Sequence, residues 1–123
     1  MKISPQDIEN IVSNLQVAES SRRQTGLISA RYPDMDMNDA YAIQDAFVQA
    51  KLAAGATQIG WKIGLTSRAM QQALQIETPD SGVLLGDMLF ENSDIVPDDR
   101  FIQPRVEAEI AFIMGHDLAG DPS

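Results

Sequence analysis

No cysteine occurs in the chain, which excludes disulfides, thiolate zinc sites and cysteine nucleophiles and leaves the redox compartment open. Basic residues are scarce as well: nine Lys and Arg stand against eighteen Asp and Glu, a formal net charge of −9. Nucleic acids and anionic membrane surfaces both need a basic footprint, so neither is an expected partner. No apolar run approaches the roughly 18 residues that span a bilayer. The opening MKISPQDIEN carries no apolar signal core, and a soluble, cytoplasmic chain is the expectation. The one histidine, His116, follows Gly115 in a terminal loop and reads as incidental. Phosphate-cradling glycine loops, internal repeats and low-complexity segments are absent too. Ser81 has no neighbouring histidine and is a poor nucleophile.

What is present is ordinary globular material. Of 123 residues, 44% are hydrophobic and 22% charged, enough for one domain with a real core. Ser4 as N-cap, Pro5 at the first helical position and Asp7 in the first turn open a helix to about Arg22, with Ile8, Ile11, Val12 and Leu15 on one stripe. A second helix is expected from Asn38 as N-cap to about Ala54, stopped by Gly55, with Tyr41, Ile43, Phe47, Val48 and Leu52 on a broad packed face. From Gln58 to Thr66 the period changes to alternation, a strand, followed by a short helix from about Ser67 to Leu74. Pro79-Asp80-Ser81-Gly82 reads as a turn. Val83 to Phe90 is apolar, strand or irregular, and Ile95-Val96 hints at another strand. The strongest strand signal is Arg105 to Met114, close to the loop Asp117 to Ser123. A buried strand there, with few candidates to pair with, points to a fragment of a longer protein.

Two places invite chemistry. Glu107 and Glu109 are two apart in that last strand, so both carboxylates project from one face, on the order of 7 Å apart at the backbone. Val106, Ala108, Ile110 and Phe112 occupy the other face and want a core. Like charges this close repel, and Mg²⁺ or Mn²⁺, which takes hard oxygen ligands, removes the conflict. The plainer alternative is a solvated polar face. Against it, the run stays apolar on both faces through Met114, so the carboxylates are expected to enter a cavity. The second place is Gly60-Trp61-Lys62-Ile63-Gly64-Leu65-Thr66, where Lys62 stands between two glycines on one face with Thr66 beyond. Glycine inside a strand marks close approach by a ligand or backbone. A lysine in that clearing can hold a carboxylate or serve as general acid or base. A surface lysine on an edge strand, with the glycines serving a bulge, is the competing reading. Asp87 lines a cleft or caps a loop.

Four stretches carry a resemblance: Asp39-Ala40-Tyr41-Ala42-Ile43-Gln44; Gly60-Trp61-Lys62-Ile63-Gly64-Leu65-Thr66-Ser67; Pro79-Asp80-Ser81-Gly82 leading to Asp87-Met88; and Arg100-Phe101-Ile102-Gln103-Pro104-Arg105-Val106-Glu107-Ala108-Glu109-Ile110-Ala111. In this order and spacing the chain resembles the hydratase/decarboxylase branch of the fumarylacetoacetate hydrolase superfamily, which serves meta-cleavage breakdown of aromatic compounds. The resemblance implies an α+β fold. Residues 1–56 would be an N-terminal helical region and 57–123 the first strands of a β-rich catalytic domain completed beyond this chain. It implies Glu107 and Glu109 as metal ligands for Mg²⁺ or Mn²⁺, Lys62 as the active-site lysine, and Leu65 and Thr66 as pocket wall. A third metal carboxylate would lie beyond residue 123, so the fragment alone is expected to be inactive. Ser81 departs from the aromatic residue usual in relatives. The implied reaction adds water to a 2-hydroxy-2,4-dienoate, giving a 4-hydroxy-2-oxo acid, on a small 2-oxo or 2-enol carboxylate and in a homo-oligomer. A decarboxylase of the same branch and a non-catalytic assembly module are the alternatives.

Overall fold

Helix α1 (Pro5–Ser21) opens where its sequence signal lies: the Ser4 hydroxyl accepts the Asp7 N–H at 3.1 Å. It closes at Arg22, which adopts the left-handed conformation and turns its N–H back to the last carbonyls. The fold is that of a computed structural model describing residues 2–117, 119 and 120. Of the terminal loop read from the sequence, Leu118 and residues 121–123 lie outside the described residues.

After the short α2 (Ile28–Arg31) comes α3 (Met37–Ala53). Its N-cap is Asp36 rather than Asn38. The Asp36 carboxylate accepts the N–H groups of Asn38 and Asp39, and the Asp39 carboxylate accepts the Asp36 N–H at 3.1 Å. Asp36 and Asn38 are both good caps; this reciprocal box with Asp39 selects the earlier one. Asp39 is fully buried, and its other oxygen accepts the N–H of Lys2 at 2.8 Å and of Ile3 at 3.3 Å. Burial pushes the Asp39 carboxyl up, but the N–H donors of Lys2, Asp36 and Ile3 outweigh it and hold the group below its ordinary value. One carboxylate thus caps α3 and ties the chain's first residues onto it.

The core lies between α1 and α3, where Ile8, Ile11 and Val12 of the expected stripe meet Ile3 and Ile43, with Leu15, Ile28, Tyr32, Met35 and Phe47 packed around them. Tyr41, placed by periodicity on the packed face, is instead half-exposed and reaches the strands.

Strand β1 (Gln58–Gly64) pairs antiparallel with β2 (Asp80–Leu85), and α4 (Arg68–Leu74) fills the connection. The Ser67 hydroxyl caps α4 by accepting the Met70 N–H. The register runs Gly60↔Leu84, Lys62↔Gly82 and Gly64↔Asp80, with a shift between Gln58 and Gly60 that leaves Ile59 bulged. Asp80-Ser81-Gly82 is therefore the start of a strand and not a turn. β1 stops at Gly64, short of Thr66, because Leu65 takes a positive φ of 53°. A 3₁₀ turn, Gly86–Met88, follows β2. The described residues form four α-helices and one two-stranded sheet, an α+β arrangement. No described helix is long and apolar enough to cross a membrane.

The strands expected at Ile95-Val96 and Arg105 to Met114 do not form. A strand is defined by its ladder, and among the described residues β1 and β2 pair only with each other. Val106, Ile110, Phe112 and Ile113, expected in a core, are exposed.

Two measurements check this core. Ile43→Ala should destabilise the chain by about 3 kcal/mol in urea unfolding, the usual cost of emptying a buried Ile site. Asp39→Asn keeps the shape but turns an NH₂ toward an N–H donor, so it should lower the unfolding midpoint at pH 7. Because the folded Asp39 titrates below the ordinary carboxylate value, its contribution is complete above that value and is lost as the pH falls through the lower folded one. The gap between the two proteins should therefore close in acid.

Candidate functional site

Alternation along β1 puts Gly60, Lys62 and Gly64 on one face, and pairing places Gly82 directly opposite Lys62. The lysine is thus flanked by glycine on three sides, along its own strand and across it. Nothing lies within 4 Å of where a Gly82 Cβ would be. The diagonal neighbours are Leu84, which pairs with Gly60, and Asp80, which pairs with Gly64 and whose carboxylate lies against Gly64 where a Cβ would otherwise sit. Asp80 therefore shares the lysine's face. The sequence signal for both Gly82 and Asp80 was present in Pro-Asp-Ser-Gly, but a turn reading hid their register with β1.

Into this clearing come the two glutamates. The Lys62 ammonium donates to Glu109 Oε1 at 2.8 Å and lies 3.7 Å from Glu107 Oε2. The structure brings together the three residues that sequence reasoning singled out from segments more than forty positions apart. It corrects their setting. No cavity encloses the carboxylates: the side chains of Lys62, Glu107 and Glu109 are 48%, 68% and 58% exposed. Their segment lacks a ladder partner and a covering layer among the described residues, which is what the burial expectation required.

The hydrogen bond to Glu109 raises the Lys62 pKa; partial desolvation opposes it, and the charges of Glu109 and Glu107 add to the rise. Lys62 is consequently an ammonium here, suited to binding an anion or donating a proton. The carboxylates for their part converge on one positive charge with hard oxygen donors, the donor type Mg²⁺ or Mn²⁺ takes. Among the described residues no group of three His, Cys, Asp or Glu side chains is arranged to hold a metal, so this pair would be part of a ligand set.

Leu65 and Thr66 follow directly at the end of β1. Leu65 is half-buried and Thr66 exposed. A branched residue at positive φ is strained, and the Gln71 side-chain amide braces it by donating to the Leu65 carbonyl at 2.6 Å. Asp87 anchors a loop: its side chain and carbonyl accept from Arg100, at 3.1 and 2.6 Å. That tether, with Arg22 donating to the Asp99 carbonyl and Gln24 to Gln103, guides the irregular stretch toward Lys62. His116 is exposed in a bend.

The chain is similar to known proteins over most of its length. It is 48% identical over 110 residues to a 2-oxo-hept-4-ene-1,7-dioate hydratase of Escherichia coli, covering 89% of this chain and 41% of that protein. It is 40% identical over 116 residues to a 2-keto-4-pentenoate hydratase of Paraburkholderia xenovorans strain LB400, covering 94% of this chain and 43% of that protein. In structure it resembles 4-oxalocrotonate decarboxylase from Pseudomonas putida G7 complexed with magnesium and adipate. That match has a TM-score of 0.64 and 29% identity, covering 68% of this chain and 32% of the other. No family model matches the chain. The chain thus spans about two fifths of the length of the curated relatives it matches.

An exposed ion pair adds little to stability. Lys62→Ala should therefore leave the melting temperature essentially where it is, as followed by circular dichroism. A large drop would make the lysine a structural residue.

Proposed function

We propose that the chain belongs to the hydratase/decarboxylase branch of the fumarylacetoacetate hydrolase superfamily, whose hydratases and decarboxylase its relatives resemble, and that the protein carrying it is a metal-dependent hydratase of small 2-oxo or 2-enol carboxylates. The observation that carries the reading is the convergence of Lys62, Glu107 and Glu109 on one spot, joined to hydratase relatives at 40–48% identity. Residues 1–56 are its helical region and 57–123 the opening of its catalytic region, and it works as a homo-oligomer.

In this reading Glu107 and Glu109 hold a divalent cation, Mg²⁺ or Mn²⁺, which supplies Lewis acidity for the substrate's oxygens when bound. The decarboxylase neighbour with magnesium and adipate supports that choice of ion and of a carboxylate ligand. Lys62, freed from the carboxylates, steadies the substrate's carboxylate as an ammonium or delivers a proton to carbon. Asp80, on the same face beside Gly64, is placed to exchange a proton with water. The glycines leave room for a flat conjugated acid over the sheet, and Leu65 and Thr66 border it. The net reaction adds the elements of water to a 2-hydroxy-2,4-dienoate: the hydroxyl goes to C4 and protons to C5 and C3, one from the water and one from the enol O–H as the enol becomes the ketone, giving a 4-hydroxy-2-oxo acid.

The structural neighbour favours a second reading, decarboxylation of a 2-oxo acid of the 4-oxalocrotonate type. The two reactions share one dienolate, from which hydration starts and which loss of CO₂ would generate, and product analysis separates them.

The intact protein with Mg²⁺ should bleach the diene absorbance of a 2-hydroxy-2,4-dienoate and release no CO₂. Chelation should abolish the activity and Mn²⁺ or Mg²⁺ restore it. Glu107→Ala or Glu109→Ala should cost roughly 100-fold or more, as for loss of groups that hold a catalytic ion, and Lys62→Ala roughly 10²–10⁴-fold, the range of a lost general acid. Full activity in all three variants would leave the assembly-module alternative standing.

A further inference from the structure

The helical layer and the hairpin touch sparsely: α1 packs on α3 and β1 on β2, with few close approaches between the two halves. One junction stands out. Tyr41 and Gln44 are three apart on α3 and so lie one above the other on the same face. The Tyr41 hydroxyl accepts the Ser81 N–H at 3.1 Å, and the Gln44 side-chain amide donates to the Ser81 carbonyl at 3.0 Å. Both main-chain groups of one β2 residue are thus held by side chains of a helix some forty positions earlier. In an antiparallel ladder, residues whose main-chain groups face the partner alternate with residues whose groups face away. Ser81 faces away from β1, and a sheet edge at that point would need another strand. Here α3 supplies the two hydrogen bonds instead.

The position of this clamp in the register matters. Ser81 pairs with Ile63, and its two neighbours, Asp80 and Gly82, pair with Gly64 and Lys62. Holding the Ser81 backbone therefore fixes both the carboxylate that shares the lysine's face and the glycine that leaves space beside the lysine. Asp80 begins the strand, so without the clamp its end of the ladder would be free to fray.

We propose that Tyr41 and Gln44 are positioning residues: by clamping the main chain of Ser81 they set where the Asp80 carboxylate stands relative to the Lys62 ammonium. They touch neither substrate nor metal and act through β2. The inference rests on the reading of the Lys62 face as the reaction centre. Its prediction concerns rate at a fixed state of binding, since a misplaced group of about 1 Å can cost on the order of 100-fold in rate.

The test uses the intact protein with Mn²⁺ and a 2-hydroxy-2,4-dienoate, with kcat expressed per bound Mn²⁺ so that unfolded protein is not counted. Tyr41→Phe removes the acceptor, Gln44→Met removes the donor at similar size, and Gln44→Glu sets an oxygen against the Ser81 carbonyl. Expected are falls in kcat of roughly tenfold for the first two, a larger fall for Gln44→Glu, and unchanged KM and Mn²⁺ stoichiometry. Because both side chains act on one residue, the double variant Tyr41→Phe/Gln44→Met should lose less than the product of the single losses. Kcat per metal within about twofold of wild type in all three single variants overturns the proposal, as does equal loss in Gln44→Met and Gln44→Glu, which marks packing rather than polarity. Failure of the underlying reading looks different: a wild-type protein without hydratase activity, or an active one indifferent to Lys62→Ala.

Discussion

Two carboxylates projecting from neighbouring positions repel each other unless a positive charge stands between them, and the site depends on how this chain answers that constraint. Glu107 and Glu109 lie in a stretch with no ladder to hold it. They are gathered by the ammonium of Lys62, which rises from a sheet stripped of side chains around it by Gly60, Gly64 and Gly82. The same geometry serves two purposes. It keeps the carboxylates converged on one place in space, and it leaves an open floor on which a flat acid can lie. In the proposed reading a divalent ion would take over the role of the ammonium and leave the lysine to meet the substrate.

What positions this spot is a hierarchy of smaller attachments. The α1–α3 pair supplies the apolar mass of the fold, and buried Asp39 secures the start of the chain to α3 through main-chain donors alone. From α3, polar side chains reach the edge of β2. From the hairpin, Arg100 on Asp87 and Arg22 on the Asp99 carbonyl guide the long irregular stretch back across the sheet. Apolar packing thus builds the platform, while hydrogen bonds tie the hairpin and the irregular stretch to it.

Legibility in the sequence followed the range of the forces involved. Local signals held: Ser4-Pro5 opened α1, alternation marked β1, and Ser67 capped α4. The Lys62–Glu107–Glu109 trio could be picked out because glycine in a strand and paired acids in an apolar run are locally costly, and their cost asks for a reason. Non-local facts were hidden. Whether Arg105 to Met114 becomes a strand depends on a partner, which its own residues do not encode, and Val106 and Ile110 are exposed as a result. Asp80 and Gly82 looked like turn residues because turn chemistry and a glycine clearing use the same letters. Tyr41 looked like core because periodicity reports a face and not what that face meets.

Nuclear relaxation by a bound paramagnetic ion tests the central claim most directly. With Mn²⁺ added at sub-stoichiometric levels, the side-chain resonances of Lys62 should broaden strongly, together with the carboxyl signals of Glu107 and Glu109, and Glu107→Ala/Glu109→Ala should abolish the effect. Sharp Lys62 signals at saturating Mn²⁺, or equal broadening without the two glutamates, would contradict the account.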